Sequence, residues 1–383
     1  MKGLEMIYLD NAATTVKKPK SVAKAVYNSI SSEKFGNPSR GSHDYSLNSL
    51  EGLFETREII AEFFGVEDPL KVVLVSNVTT GLNLAIKSLL NERDHIITSD
   101  AEHNSVLRPL YQLEDLGADI SYLPLDDKGN ILVENLEKNL KKNTKAVVIT
   151  QASNISGIIT NLDYIYDFCI KNSLLLIVDG AQGAGTINFK LSGRKLPNMV
   201  YAFTGHKSLY GPQGTGGLIF IGDLKPKAVF SGGSGIKSFE REQPNMLPDI
   251  FEYGTQNIHS NLGLLEGVKY LNGIGMDRVE KKLKSLTDYF YSEVKKNENV
   301  VLYNELHENS VPIVALNVKD YSSAKVADVL WNKYKIATRA GSHCAPRYHE
   351  SMGTKERGMV RFSFSTFNRF EELDYALEVL KKI

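Results

Sequence analysis

Residues 174–182 read LLLIVDGAQ, and residues 199–207 read MVYAFTGHK. Each stretch begins as an unbroken apolar run and ends in polar residues, with Asp179 closing the first run and Lys207 just beyond the second. Strands that are apolar on both faces are typical of a parallel sheet covered by helices on each side. Ligands of such sheets bind along the edge where the strands end. The two stretches therefore predict an α/β fold in which Asp179 and Lys207 lie close together at that edge.

Similar runs recur on either side of these two stretches. From about residue 71 to residue 220 the chain contains seven of them: KVVLV, HIITS, DISYL, KAVVIT, LLLIVD, MVYAF and GLIFI. Amphipathic stretches such as TGLNLAIKSLL and VLRPLYQLEDLG, with leucines three or four residues apart, separate the first several runs. This alternation predicts a mainly parallel, seven-stranded sheet with helices on both faces.

The pattern changes after Gly254. Longer amphipathic stretches follow, then a strand-helix-strand segment from Val311 to Arg339, the strand MVRFSFS and a last helix, FEELDYALEVLKKI. This order predicts a smaller α+β unit. We expect a large domain over residues 16–260, and a small domain formed by residues 261–383 together with residues 1–15, which pack back against it.

The composition excludes several classes of protein. The chain has 383 residues, 45 Lys and Arg against 45 Asp and Glu, and 42% hydrophobic residues, which argues against disorder. A net charge of zero provides no uniform basic field for nucleic acid. The apolar runs are far shorter than a membrane helix requires, and the start MKGLEMIYLD lacks the apolar core of a signal peptide. We expect a soluble, cytoplasmic protein that binds neither nucleic acid nor membranes.

The two cysteines lie in different contexts. Cys169 follows apolar residues at helical spacing in NLDYIYDFCIKN, which predicts an inert core residue. Cys344 lies in the polar segment RAGSHCAPRYH, which predicts a loop, and a loop thiol beside His343 is reactive if its thiolate is stabilised. A metal site formed by His343, Cys344 and His349 is disfavoured, because the spacing is poor and no fourth ligand is evident. No metal is predicted.

A lysine and an aspartate at neighbouring strand ends indicate a specific chemistry. Pyridoxal phosphate forms a Schiff base with a lysine amine, and an acidic partner keeps its pyridine nitrogen protonated so that the ring accepts electrons. We expect desolvation and nearby positive charge to lower the pKa of Lys207. The alternative for Asp179 is a helix cap for the AQGAG segment that follows it.

Further polar groups follow other strands. Residues 76–81, SNVTTG, join a strand to a helix and could hold a phosphate at the helix N-terminus, or could simply cap that helix. His103 begins the next helix, where its ring could stack on a flat cofactor, move protons or act as a cap. The segment GPQGTGG, residues 211–217, leads into a strand, so we interpret it as a turn that lets the backbone pass close beneath the cofactor loop.

Taken together, these segments resemble the class V aminotransferase group of fold-type I pyridoxal phosphate enzymes, and within it the cysteine desulfurases. The resemblance runs through nearly the whole chain. Any one motif is weak evidence, but their order makes the resemblance specific. The motifs are YLDNAATT, NPSRGSH, NVTTGLN, AEHNSVLRPL, ASNISG, VDGAQ, FTGHK, LYGPQGTGG, EYGTQN, RAGSHCAP and VRFSFSTFN.

The resemblance implies a pyridoxal phosphate site. Lys207 matches the Schiff-base lysine, Asp179 the partner of the pyridine nitrogen, and His103 the imidazole that stacks on the ring and also moves protons. Gln182 matches the residue that hydrogen-bonds the ring hydroxyl. The implied phosphate contacts are Thr79, the backbone N–H of Thr80, Thr204, His206, and Thr255 donated by the other subunit of an obligate homodimer.

The resemblance also implies the reaction. Asn154, Arg361 and Arg339 match residues that bind the substrate, and an arginine suits a carboxylate because its planar fork pairs with both oxygens. Cys344 matches the nucleophile that accepts sulfur, in the RxGxHCA pattern of the sulfur-mobilisation branch. The implied activity is a cysteine desulfurase, which converts L-cysteine to L-alanine and passes the sulfur through a persulfide to an acceptor protein or reductant.

Two departures and three alternatives qualify this assignment. Gln151 stands where many relatives have histidine, which could alter contacts near the ring, and Thr80-Gly81 replaces the usual Glu-Ala pair. Selenocysteine lyase activity would use nearly the same residues. Another class V reaction, such as transamination or epimerisation, would not need the thiol of Cys344. A non-catalytic scaffold would not need Lys207 and Asp179 together.

Overall fold

The computed structural model describes residues 6–38, 41–303 and 310–383. The first five residues lie outside this description, as do two residues of the NPSRGSH motif, Ser39 and Arg40. The strands, in chain order, are β1 (Ile7–Tyr8), β2 (Val72–Val75), β3 (His95–Ser99), β4 (Asp119–Leu123), β5 (Thr144–Thr150), β6 (Leu175–Asp179), β7 (Met199–Thr204), β8 (Gly216–Ile221), β9 (Val300–Leu302), β10 (Ile313–Val318), β11 (Ile336–Ala337), β12 (Arg339–Gly341) and β13 (Met359–Ser363).

The helices pack around these strands. In chain order they are α1 (Lys20–Ser31), α2 (Asp44–Phe64), α3 (Val78–Leu89), α4 (Asn104–Asp115), α5 (Leu136–Asn139), α6 (Leu162–Lys171), α7 (Ile258–Ile274), α8 (Met276–Val294), α9 (Ser323–Tyr334), α10 (Pro346–Ser351) and α11 (Phe370–Leu380). Short 3-10 turns cover Pro69–Lys71 and Val133–Asn135. No helix in the described ranges is both long and apolar enough to cross a membrane.

The central sheet contains all seven apolar runs of the sequence. Its strand order is β2-β8-β7-β6-β5-β3-β4. β8 runs antiparallel to both of its neighbours, whereas the other neighbouring pairs are parallel. The predicted α/β fold with a mainly parallel, seven-stranded sheet is confirmed.

The apolar runs are continuous because the central strands are buried on both faces. Along β6, Leu176 and Val178 enter the core cluster shared with α2, α6 and α7, while Leu175 and Ile177 enter the cluster shared with α3 and α4. The alternation follows from the two-residue period of a strand. Polar groups of β6 and β7 are therefore confined to the strand ends, where Asp179 and Thr204 terminate the two strands.

A second sheet, with the order β12-β13-β10-β9, packs with α8, α9 and α11 around its own core cluster. The N-terminal segment joins this unit, since β1 pairs with β11 and Asp10 bridges to Ser363, the last residue of β13. α7 packs against α1 and α2, so the larger core extends past residue 260. The domain boundary at that residue remains a prediction.

The glycine-rich segment before β8 makes the close approach that the sequence indicates. A Cβ atom on Gly216 would lie 3.0 Å from the backbone of Asn77, the residue that caps α3. A side chain at this position would therefore push against the loop between β2 and α3.

Candidate active site

A cavity of about 190 Å³ lies where the strand ends of the large sheet meet the small sheet. Most of the residues singled out in the sequence line this cavity. They are Thr79, His103, Asn154, Asp179, Gln182, Thr204, His206, Lys207, Arg339 and Arg361. The remaining three, Thr80, Thr255 and Cys344, lie outside the lining.

Asp179, the last residue of β6, lines the cavity. Its side chain is buried, and Oδ1 accepts a hydrogen bond from the backbone N–H of Ala181 at 2.9 Å. Burial raises the pKa of Asp179, while that N–H and the charge of Lys207 pull it down. The helix-cap alternative is wrong, because the segment after Asp179 forms a turn and not a helix. The contact with Ala181 holds this turn and uses only one carboxylate oxygen, so the other remains available in the cavity.

Lys207 lies beyond β7 and faces the same cavity. Burial lowers the pKa of Lys207 to about 8, with Asp179 acting in the opposite direction and the charges of Arg361 and Arg339 adding to the decrease. The predicted direction and its causes are confirmed. A lysine with this pKa has a much larger fraction of free amine near neutral pH than an exposed lysine has.

The backbone around Lys207 is held by the N-terminal segment. The hydroxyl of Thr15 donates to the carbonyl of Lys207 at 3.0 Å, and the backbone N–H of Thr15 donates to the carbonyl of His206 at 3.2 Å. The ammonium of Lys18 also donates to the His206 carbonyl, at 3.2 Å. The sequence reasoning missed Thr15 and Lys18, because nothing in their pattern indicates contact with a loop about 190 residues away.

His103 is the N-cap of α4 and part of the cavity wall. Its Nδ1 accepts from the backbone N–H of Ser105 at 3.0 Å, so in the neutral ring the proton lies on Nε2. Burial, followed by the charge of Lys207, lowers the pKa of His103 to about 3. The ring is therefore neutral at physiological pH, with a fixed tautomer and a fixed orientation.

Other lining residues offer hydrogen-bond donors to an anion. Thr204 Oγ1 is buried and has no hydrogen-bond partner among the described residues. The N-terminus of α3 contributes Val78 and Thr79 to the lining, and an α-helix N-terminus presents free N–H groups and partial positive charge. His206 also lines the cavity, and its Nδ1 contacts the hydroxyl of Thr14 at 3.0 Å. Thr204, the N-terminus of α3 and His206 together suit the phosphate of a cofactor.

Arg361 forms the wall contributed by the small sheet. Nη1 donates to the carbonyl of Asn154 at 2.8 Å, and Nη2 donates to Oδ1 of Asp10 at 3.1 Å. Nε is buried without a partner in the described part of the chain. Arg339 lies directly opposite Arg361 in the pairing of β12 with β13. Two arginines at one wall favour an anionic ligand such as a carboxylate.

Cys344 lies on the loop between β12 and α10, next to the cavity residue His343. The carbonyl of Cys344 accepts from the backbone N–H of Asn104 at 2.7 Å, and the Asn154 amide donates to the carbonyl of His343 at 2.8 Å. The side chain of Cys344 is exposed. The loop is thus tied to α4 and to the cavity wall, with its thiol outside the lining.

Cys169 differs from Cys344 as the sequence predicts. It is fully buried in α6, and burial raises the pKa of its thiol to about 12. Within the described ranges, no group of three His, Cys, Asp or Glu side chains is placed to hold a metal ion.

Comparison with known proteins identifies the family. The sequence model described as aminotransferase class-V matches residues 7–376. The chain belongs to the class V aminotransferase family. Within that family, the chain is 30% identical to the probable cysteine desulfurase of Halobacterium salinarum, over 97% of this chain and 90% of the relative. It is also 30% identical to the cysteine desulfurase of Wigglesworthia glossinidia brevipalpis, over 99% and 92% of the two chains.

Solved structures agree with this assignment. The apo structure of a cysteine desulfurase from Thermococcus onnurineus superimposes with a TM-score of 0.91 at 29% identity, over 98% of this chain and 94% of that one. A cysteine desulfurase from Escherichia coli superimposes with a TM-score of 0.87 at 25% identity, with the same coverage. Both confirm the fold that the motifs imply.

Gln151 does not line the cavity. The Gln151 side chain is buried, and its Oε1 accepts from the hydroxyl of Tyr201 at 2.6 Å. Its backbone N–H donates to the carbonyl of Asp179 at 2.9 Å. Gln151 therefore links Tyr201 to the backbone of Asp179, and an effect on contacts near the ring remains a prediction.

Thr80 and Thr255 are two residues for which the resemblance implies a phosphate contact. The N–H of Thr80 already donates to the side chain of Asn77 at 2.9 Å, as part of the cap of α3. Thr255 is exposed, in the loop before α7. For both residues a phosphate contact remains a prediction.

Two acids near the cavity, the buried Glu102 and the partly buried Asp10, have no role predicted from the sequence. Glu102 accepts from the hydroxyl of Ser99 at 2.6 Å and from the backbone N–H of Thr150 at 3.0 Å, which joins the ends of β3 and β5 beside His103. Asp10 is the partner of Arg361 described above. Both lie in the quoted motifs AEHN and YLDNAATT, but a motif does not show which distant groups its acids meet.

Proposed function

We propose that this protein is a pyridoxal phosphate-dependent cysteine desulfurase that converts L-cysteine to L-alanine and transfers the sulfur to Cys344. The observation that carries the proposal is one cavity with Lys207 and Asp179 on one wall and Arg361 on the other, beside a loop with an exposed thiol. The relatives named cysteine desulfurase support it.

The residues of the cavity fit pyridoxal phosphate. Asp179 would meet the pyridine nitrogen, and its ionised form matches a protonated ring. The neutral imidazole of His103 would stack on the ring, and Gln182 would face the ring hydroxyl. The orphan hydroxyl of Thr204, together with the N-terminus of α3, would hold the phosphate. When bound, the cofactor supplies a covalent link to the substrate amine and a ring that stores the electrons of the α-carbon.

The substrate would enter from the side of the small sheet. The guanidinium of Arg361 and the nearby Arg339 would pair with the carboxylate, which orients the amine towards Lys207. With its pKa near 8, the released Lys207 can take the α-proton and return it at neutral pH. The Nε2–H of His103, which lines the same cavity, would be a second group able to move a proton.

The sulfur step belongs to Cys344. Its thiolate attacks the substrate sulfur, so that an S–S bond forms on the protein while the C–S bond breaks and its electron pair goes to the substrate carbon. Protonation of that carbon completes alanine, and Cys344 is left as a persulfide. An acceptor protein or a reductant must then remove the outer sulfur, since the oxidised sulfur cannot leave without electrons.

The remaining parts of the proposal concern the assembly and its setting. A homodimer would bring Thr255 of each subunit to the phosphate of the other, which suits the exposure of this residue in one chain. The RxGxHCA pattern supports the sulfur-mobilisation branch of the family. A cytoplasmic location suits the working thiol, because a reducing compartment keeps it free.

The test compares Cys344→Ala with Cys169→Ala. Both variants are loaded with cofactor and given L-cysteine and a reductant, and alanine is measured. We expect Cys344→Ala to lose alanine production while it retains the cofactor absorbance, and Cys169→Ala to retain both. Alanine production by Cys344→Ala at the parental rate would refute the sulfur transfer. A selenocysteine turnover that survives in Cys344→Ala and exceeds the parental turnover of cysteine would favour the selenocysteine lyase alternative.

A further inference from the structure

Arg361 already pairs with a carboxylate of the protein itself, that of Asp10. The side chain is 2% exposed, and its two described partners are the Asn154 carbonyl and the carboxylate of Asp10. A guanidinium has five N–H donors, so donors remain available to a ligand in the cavity. Arg361 therefore holds an internal carboxylate on one side while its other side lines the cavity.

Asp10 contacts Arg361 without lining the cavity. Its neighbours Ala12 and Ala13 line the cavity, but Asp10 itself is outside the lining. Its backbone is held firmly, because its carbonyl accepts from the Tyr8 hydroxyl at 3.1 Å and from the backbone N–H of Ala13 at 3.1 Å. A substrate carboxylate would thus meet Arg361 without touching Asp10.

The two neighbouring arginines give a physical reason for the acidic side chain of Asp10 beside Arg361. Arg361 and Arg339 are cross-strand neighbours, and like charges in that position repel each other. A buried guanidinium without a counter-ion is costly, so Asp10 stabilises the ligand-free site. The same negative charge must act against a second carboxylate that approaches Arg361 from the cavity.

We infer that Asp10 is a positioning residue that shares Arg361 with the carboxylate of the substrate and product, and that its charge weakens their binding. This inference rests on the proposed function, since it takes Arg361 as the carboxylate site. A fixed internal acid would hold the guanidinium in place when the site is free, and would favour the departure of the product carboxylate after the reaction.

The experiment measures ligand binding without turnover. Wild-type holoenzyme and the Asp10→Asn variant are titrated with L-alanine and with L-alaninamide, which lacks the carboxylate, and Kd is read from the cofactor absorbance. Asparagine keeps an oxygen that can accept from Arg361 but removes the charge. We expect the Kd of alanine to fall by about fivefold or more in Asp10→Asn, and the Kd of alaninamide to change by less than about twofold.

The direction of the change separates this role from a merely structural one. A loosened site would bind both ligands more weakly. Removal of a competing charge lowers the Kd only for alanine, because only alanine has a carboxylate. An unchanged or higher Kd for alanine, or an equal shift for both ligands, would overturn the inference. Asp10→Ser is a second uncharged variant and should show the same selective gain if Asp10→Asn does not fold.

A matched control uses another aspartate paired with an arginine. Asp163 pairs with Arg194 on the surface, outside the cavity. Asp163→Asn should leave the Kd of both ligands unchanged. The result is independent of the desulfurase assay: wild-type protein that makes no alanine from cysteine would refute the proposed function, while the two Kd values would still decide the role of Asp10.

Discussion

The two walls of the cavity are built in different ways. On the wall from the large sheet, Asp179, His103 and Lys207 follow strand ends, and each occupies a place that the adjacent strand or helix defines. On the wall from the small sheet, Arg361 is oriented by Asp10 and Asn154, which come from positions far away in the chain. Asp179 and His103 are positioned by secondary structure, whereas Lys207 and Arg361 are also held by contacts with distant residues.

The difference suggests a division of labour. Asp179 ends a strand and His103 caps a helix, which favours a precise geometry for groups that would bind the cofactor. The network around Arg361 consists of charges and hydrogen bonds that a ligand carboxylate can share. Substitutions on the first wall should therefore affect the chemical step, and substitutions on the second should affect binding.

The largest effect is expected from Lys207→Ala. This change removes both the amine that would link the cofactor and the base that takes the α-proton, so the rate of alanine production should fall by about 10³-fold or more. Steady-state assays of alanine formation from L-cysteine measure this loss. A variant with kcat within tenfold of the parent would contradict the role of Lys207.

A smaller effect of a different kind is expected from Arg361→Lys. Lysine keeps the positive charge but loses the planar fork, so the KM for cysteine should rise by about tenfold while kcat changes less. Initial rates over a range of cysteine concentrations separate the two constants. If kcat fell and KM stayed constant, the small-sheet wall would act in the chemical step and the division of labour would be wrong.

The smallest effect is expected from Glu102→Gln, and it concerns stability. Burial raises the pKa of Glu102 to about 8, above its ordinary value of 4.5. Between these two pH values the folded chain keeps the proton that the unfolded chain releases, so the stability contributed by this group falls as the pH rises. Glutamine cannot ionise, so the Tm of Glu102→Gln should decline less than the parental Tm between pH 5 and pH 8.

This stability prediction has a direct control. Glu137→Gln changes a glutamate that forms an exposed ion pair with Lys171, so its Tm should follow the parental pH dependence. Parallel Tm curves for the parent and Glu102→Gln would mean that Glu102 is ionised in the folded protein. Glu102 would then be a buried carboxylate that links the ends of β3 and β5.

The two walls also differ in how far the sequence predicts them. The strands, the sheet and the placement of Asp179 and Lys207 follow from local patterns, because a buried parallel strand must be apolar along its length and polar only at its end. The neutral tautomer of His103 follows from its position as a helix cap. These features depend on residues that are neighbours in the chain.

Parts of both walls depend on contacts between distant residues. The pairing of Asp10 with Arg361 joins positions 351 residues apart, and the anchoring of the Lys207 loop by Thr15 spans 192 residues. The motifs quoted from the sequence contain these residues but do not show that they meet. The same holds for Gln151, whose contact with Tyr201 depends on the packing of β5 against the other strands of the sheet.

The most direct test of the central claim follows the sulfur atom. Holoenzyme is incubated with limiting L-cysteine in the absence of reductant and is then digested. The masses of the peptides that contain Cys344 and Cys169 are measured. The account predicts one added sulfur atom on the Cys344 peptide, none on the Cys169 peptide, and an equal amount of alanine. Alanine formed together with free sulfide, while the Cys344 peptide stays unmodified, would contradict it.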